Sequence, residues 1–169
     1  RCPTGALRHE RTDGAPVRPP PAPAEVVPAT DGALILHGEL VVEDEAGGEI
    51  AREPRLALCR CGATANPPSC DNSHLASGVR APRLAPGDDA DGAGAGAAGP
   101  VRITVRDDGP LVVRGDAVVL APGGRPVRRA DSMALCRCGR SRSKPFCDGP
   151  TPAPGSRARS AGAPRPGGR

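Results

Sequence analysis

From Ala57 to His74 the chain reads ALCRCGATANPPSCDNSH, and from Ala134 to Thr151 it reads ALCRCGRSRSKPFCDGPT. A cysteine triplet spaced C-x-C-x8-C therefore occurs twice: Cys59, Cys61 and Cys70, then Cys136, Cys138 and Cys147. Cys2 brings the total to seven. An odd count suits a disulfide framework poorly, and two identical triplets suit thiolate metal ligation in a reducing compartment better. Composition points toward such a staple. Among 169 residues there are one Phe, no Trp and no Tyr, against 23 Gly and 22 Pro. Aromatic side chains normally supply much of a core's buried area, so a thin hydrophobic core is expected. Small units of that kind depend on a metal, disulfides or a partner.

A shift of 77 positions aligns more than the cysteines. Gly32 falls on Gly109, Leu34 on Leu111, Gly38 on Gly115 and Val41-Val42 on Val118-Val119. Thr64 then meets Ser141, Pro68 meets Pro145 and Asp71 meets Asp148, so the chain carries two copies of one unit. The runs 33–42 and 110–120 are rich in Val, Ile and Leu around a central Gly, which suits a bulge or a tight turn between two short strands. Residues 101–106 alternate apolar and polar, the period of a half-buried strand. Gly-containing turns are expected at 47–48 and 123–124. Asp71 and Asp148 stand where a helix N-cap would, with a short helical turn ending at Gly78. The organisation expected is residues 1–30 as an N-terminal module remnant with a Pro-rich linker, 31–78 as the first unit, 79–100 as a Gly/Ala-rich linker, 101–150 as the second unit, and 151–169 as a disordered basic tail. The fold class is a small β-rich (α+β), metal-stapled one.

Net charge is +4, modest and dispersed, so a nucleic-acid surface is not expected. No apolar run approaches the ~20 residues needed to span a bilayer, and no signal peptide is visible. The reading is a cytoplasmic protein with no membrane association.

Cys59 and Cys61 flank one residue, so both sulfurs can reach one ion. Cys70 and His74 are four apart, which on a helical turn places them on one face. Three thiolates and an imidazole admit two answers, a tetrahedral Cys3His zinc site or a [2Fe–2S] cluster with two ligands to each iron. Zinc knuckles favour longer spacings than C-x-C, which tilts the chemistry toward iron–sulfur.

The run resembles the CDGSH iron–sulfur family, the mitoNEET-like proteins, whose pattern is C-x-C-x2-[S/T]-x3-P-x-C-D-G-[S/A/T]-H. The first copy matches at Cys59, Cys61, Thr64, Pro68, Cys70, Asp71, Ser73 and His74, with Asn72 in place of Gly. The second matches at Cys136, Cys138, Ser141, Pro145, Cys147, Asp148 and Gly149, then departs: Pro150 and Thr151 follow, and the histidine is gone. The resemblance implies a [2Fe–2S] cluster with Cys59 and Cys61 on one iron and Cys70 and His74 on the other. It also implies a two-motif monomer whose halves pack as a pseudo-dimer around a shared β-rich cap, and a role in electron or cluster transfer with a redox or cluster-acceptor protein. His ligation implies an acid-labile cluster. RCPTGAL (Arg1–Leu7) further resembles the end of a divergent [4Fe–4S] ferredoxin-type module, in which Cys2 alone would hold nothing.

For the second copy three readings stay open. A carboxylate such as Asp148, or water, completes the site; the site is empty or degenerate; or the sequence after Gly149 is not the native frame. The expectation is that Cys136, Cys138 and Cys147 bind a second cluster more weakly than the first set. The bland alternative for the whole is a zinc-stabilised structural or interaction module. No nucleophile–base pair or phosphate loop supports an enzyme. His9 and His37 are read as ordinary surface or turn histidines, Phe146 as core, and Arg60, Arg137, Arg140 and Lys144 as solvated charges, the alternative being that they offset a cluster's negative charge and guide an acidic partner.

Overall fold

The computed structural model describes residues 20–80, 98–121 and 123–149. Alternating aliphatic residues organise them into six strands and one short helix. These are β1 (Ala24–Pro28), β2 (Leu34–Glu43), β3 (Glu49–Leu58), α1 (His74–Ser77), β4 (Val101–Val105), β5 (Leu111–Leu120) and β6 (Pro126–Leu135). β2–β3 and β5–β6 are antiparallel hairpins that deliver the two cysteine loops from the ends of β3 and β6.

The two units are joined by reciprocal strand pairing. β1 runs antiparallel to the first half of β2, from Glu25↔His37 to Pro28↔Leu34, and parallel to the second half of β5, from Ala24↔Ala117 to Val26↔Val119. β4, the same strand 77 residues on, runs antiparallel to the first half of β5 and parallel to Leu40–Glu43 of β2. Each short strand thus bridges both long ones, and the path β1-β2-β4-β5 returns to β1.

The central glycines make this exchange possible. Each long strand is one continuous strand with a bulge, where the register slips between His37 and Leu40 and between Arg114 and Ala117. A Cβ on Gly38 would lie 2.6 Å from the Ala24 Cβ, and one on Gly115 would lie 3.2 Å from the Val101 Cα. The short strand can therefore cross only where a side chain is missing. The expected turns are present: Gly48 N donates to Asp44 Oδ1 at 2.7 Å, and Ala121 N to Arg125 O at 2.8 Å.

Two expectations need correction. The core is not thin, because both units pool their apolar faces into one aliphatic cluster. Leu34, Leu36, Leu40 and Leu58 from the first unit and Ile103, Leu111 and Leu135 from the second are all fully buried. Each such side chain contributes roughly 1.5–3 kcal/mol of transfer free energy. The single Phe is peripheral: Phe146 packs partly buried against this cluster with the Arg128 guanidinium 5.1 Å from its ring centre. The first unit also begins before residue 31, since β1 lies in the stretch read as linker. Its two prolines, Pro23 and Pro28, mask a strand that pairs through Glu25, Val26 and Val27. The proposed module remnant with Cys2 and His9, residues 81–97 of the linker and the tail lie outside the described residues. Among the described residues no helix is long and apolar enough to cross a membrane.

Candidate metal centre

β3 ends at Leu58 and sets Cys59 at the mouth of a loop that folds straight back on it. Cys59 N donates to Pro68 O at 2.8 Å and Cys70 N to Ala57 O at 2.9 Å, so the third cysteine returns beside the first. Inside the loop the Thr64 hydroxyl donates to Ser69 O at 2.8 Å and accepts from Asn66 N at 3.1 Å. Asp71 closes it, with Oδ2 accepting from Ala65 N at 2.7 Å and Oδ1 from Ser73 N at 3.0 Å. Hydrogen bonds from Ser73 and then Ala65 hold the Asp71 carboxyl well below the usual carboxylate range. Asp71 is therefore a loop lock and not the helix N-cap expected: α1 starts at His74, with Ser73 as its cap and left-handed Gly78 as its stop.

These contacts sort the four candidate donor atoms of the first copy into two pairs. Cys59 Sγ and Cys61 Sγ are 3.4 Å apart, and Cys70 Sγ and His74 Nδ1 are 3.7 Å apart. Two donors on one tetrahedral ion, with bonds of roughly 2.0–2.3 Å, stand about 3.5–3.8 Å from each other. The Cys70–His74 pair stands within that range and the Cys59–Cys61 pair just short of it, so each pair is close enough to share one metal ion. Among the described residues no three His, Cys, Asp or Glu side chains converge on a single ion. The thiols are also protected: burial, chiefly, together with the neighbouring Cys59 pushes Cys61 up to about 11, and burial raises Cys70. Loading a metal there must expel the thiol protons.

The second loop repeats the framework. Cys136 N donates to Pro145 O at 2.8 Å and Cys147 N to Ala134 O at 2.9 Å. The Ser141 hydroxyl donates to Phe146 O at 2.6 Å, and Asp148 Oδ2 accepts from Arg142 N at 2.8 Å. Cys136 Sγ and Cys138 Sγ are 3.8 Å apart. Cys147 Sγ has the Gly149 carbonyl oxygen at 3.6 Å where Cys70 has an imidazole. Asp148, suggested above as a substitute ligand, is instead turned into its loop as Asp71 is.

The two loops abut. Cys61 and Cys138 form an antiparallel bridge, and a Cβ on Gly139 would lie 3.3 Å from Cys61 O and 3.4 Å from its Cα. Gly62 and Gly139 both have φ +77°, a left-handed backbone that glycine adopts without strain. Arg60 and Arg137 are not solvated charges but buried ones. Arg60 donates from Nε to Gly32 O at 2.7 Å and also bonds Ala29 O; Arg137 donates to Arg106 O at 2.9 Å. Burial pulls both guanidinium pKa values down, while Cys136 opposes this for Arg60 and Cys59 for Arg137. Each arginine thus ties its loop to the turn before its unit's long strand and carries charge toward the other unit's first cysteine. An arginine between two cysteines in both copies was the available signal for this role.

The site and fold define a small β-rich metal-binding protein with twin thiolate loops. The family described as "Iron-binding zinc finger CDGSH type" matches residues 31–75 and 108–150, a little over half of the chain, and the protein belongs to that family. It is therefore an iron-binding protein of the iron–sulfur type. The match does not reach residues 1–30, so the ferredoxin-type remnant has no support there. No curated protein and no solved structure matches the chain.

Proposed function

We propose that the chain holds a [2Fe–2S] cluster on Cys59, Cys61, Cys70 and His74 and serves in electron transfer or in delivery of the cluster to an acceptor protein. The observation that carries this is the sorting of the four donor atoms into two pairs at 3.4 and 3.7 Å. That is the arrangement two irons with two protein ligands each require. Such a cluster supplies a one-electron couple when bound. The chain's own contribution is to place four ligands on a hydrogen-bonded loop, shield Cys59 and Cys70 from water, and leave His74 half-exposed at the rim. A rim imidazole suits exchange with a partner. Buried Arg60 and Arg137 offset negative charge at the paired loops.

In this reading the two units act as a pseudo-dimer built from one chain, so a monomer suffices. The protein is a carrier in a reducing cytoplasm, neither enzyme nor membrane protein. Iron, acid-labile sulfide and zinc measured per chain on anaerobically purified protein test it. Red-brown material with iron and sulfide in equal amounts is expected; colourless material holding zinc would establish the structural module instead.

A further inference from the structure

The second loop is folded for ligation, and yet its motif lacks the histidine that closes the first. Its backbone locks, its Ser141 and Asp148 hydrogen bonds and its paired Cys136 and Cys138 repeat those of the first loop. Ser141 is buried, as a retained loop lock would be. The position equivalent to His74 is Thr151. Cys147 is less deeply buried than Cys70.

The loops also differ in charge. At the positions of Ala63, Ala65 and Pro67 the second loop carries Arg140, Arg142 and Lys144. Arg140 and Arg142 are exposed, and Lys144 folds back so that its Nζ donates to Ser141 O at 2.8 Å. Three cations therefore line the loop that has lost a ligand, and none lines these positions in the loop that has kept it. Three-ligand sites with one position left to an exchangeable group are an established arrangement in metal chemistry, and iron already bound by thiolates accepts a further soft sulfur ligand.

We propose that the second site completes a cluster on Cys136, Cys138 and Cys147 with an external thiolate, taken from a small thiol that also carries carboxylates. Forming the bond costs the thiol its proton, which passes to water, and displaces solvent; no electron moves. Arg140, Arg142 and Lys144 attract the carboxylates. The site is then a position from which a cluster leaves or arrives by exchange of one ligand, beside a first site that is closed by the chain itself. This rests on the iron–sulfur reading of the first site.

The test is anaerobic reconstitution of the full chain with ferrous iron and sulfide. It is run without thiol, with glutathione, and with cysteamine, whose thiol bears a positive charge. Without thiol about two irons per chain are expected, and with glutathione about four, with a new contribution to the visible absorption. Glutathione half-saturates the change at about one tenth of the cysteamine concentration, the sum expected of a few exposed charge contacts. Cys147→Ser abolishes only the increment. Arg140→Glu with Arg142→Glu removes the preference for glutathione, in a surface change that leaves the ligands in place. The inference is overturned if iron stays at about two with every thiol, if about four are bound without any, or if both thiols act equally. If no iron and sulfide bind under any condition, the reading of the first site falls as well.

Discussion

The two cysteine loops share one framework and differ in what it carries. Both return the third cysteine to the first through the same pair of backbone hydrogen bonds, 2.8 and 2.9 Å in each copy. Both lock the return with a buried or half-buried hydroxyl, Thr64 or Ser141, and a carboxylate, Asp71 or Asp148. Only the last ligand and the charge of the loop diverge. The scaffold of a metal loop is thus separable from its ligand set, because backbone bonds hold the one and side chains supply the other.

The strongest way to break the comparison is to remove one cysteine from each loop. Cys59→Ser should eliminate iron from the first site, while Cys136→Ser should leave that iron in place. Iron and sulfide counts read both, and loss of the first cluster in Cys136→Ser would mean that the loops share ligands. Next in size is the common core. Leu58→Ala and Leu135→Ala occupy equivalent, fully buried positions, so each should lower stability by about 2–5 kcal/mol, and by similar amounts, in urea unfolding of the metal-free protein. A cost confined to one of them would show that the core is not pooled.

A free imidazole titrates near neutrality, and protons compete with iron for the same nitrogen. His74→Cys should therefore slow loss of the first cluster at pH 6 by about tenfold or more, followed as decay of visible absorption. Equal decay in both proteins would place the weak point elsewhere. The smallest effect concerns the metal-free state. Folding raises the Cys61 thiol from its ordinary 9.0 to about 11, so the folded state keeps that proton longer than the unfolded one. The associated stability is full below pH 9.0 and is lost as pH climbs to about 11. Because the group is only partly buried, solvent screening limits the loss to about 1 kcal/mol or less. Urea midpoints across that window should fall in the wild type and fall less steeply in Cys61→Ser.

Much of the site was legible. Cys59, Cys61, Cys70 and His74 stand at spacings that suit metal ligation, and the 77-residue register named the counterparts of the three cysteines. β1 was legible too, had the shift been carried back past Gly32: Ala24–Pro28 falls on Val101–Val105, which the alternation rule does find. Two prolines in or beside a five-residue strand hid it. Arg60 and Arg137 were misjudged because a charged residue in a polar loop is normally solvated. Only the neighbouring turns, which offer carbonyls 28 to 31 residues away, make burial favourable.

The sequence by itself determined the repeat, the ligand types and their spacing, since local chain geometry links those directly to metal chemistry. Tertiary structure alone decided that β1 and β4 each bridge both units, that Cys61 meets Cys138, and that one aliphatic core serves the whole. Those contacts are made by backbone N–H and C=O groups and by pooled apolar area. Every residue carries the former and many carry the latter, so no local pattern names the partner.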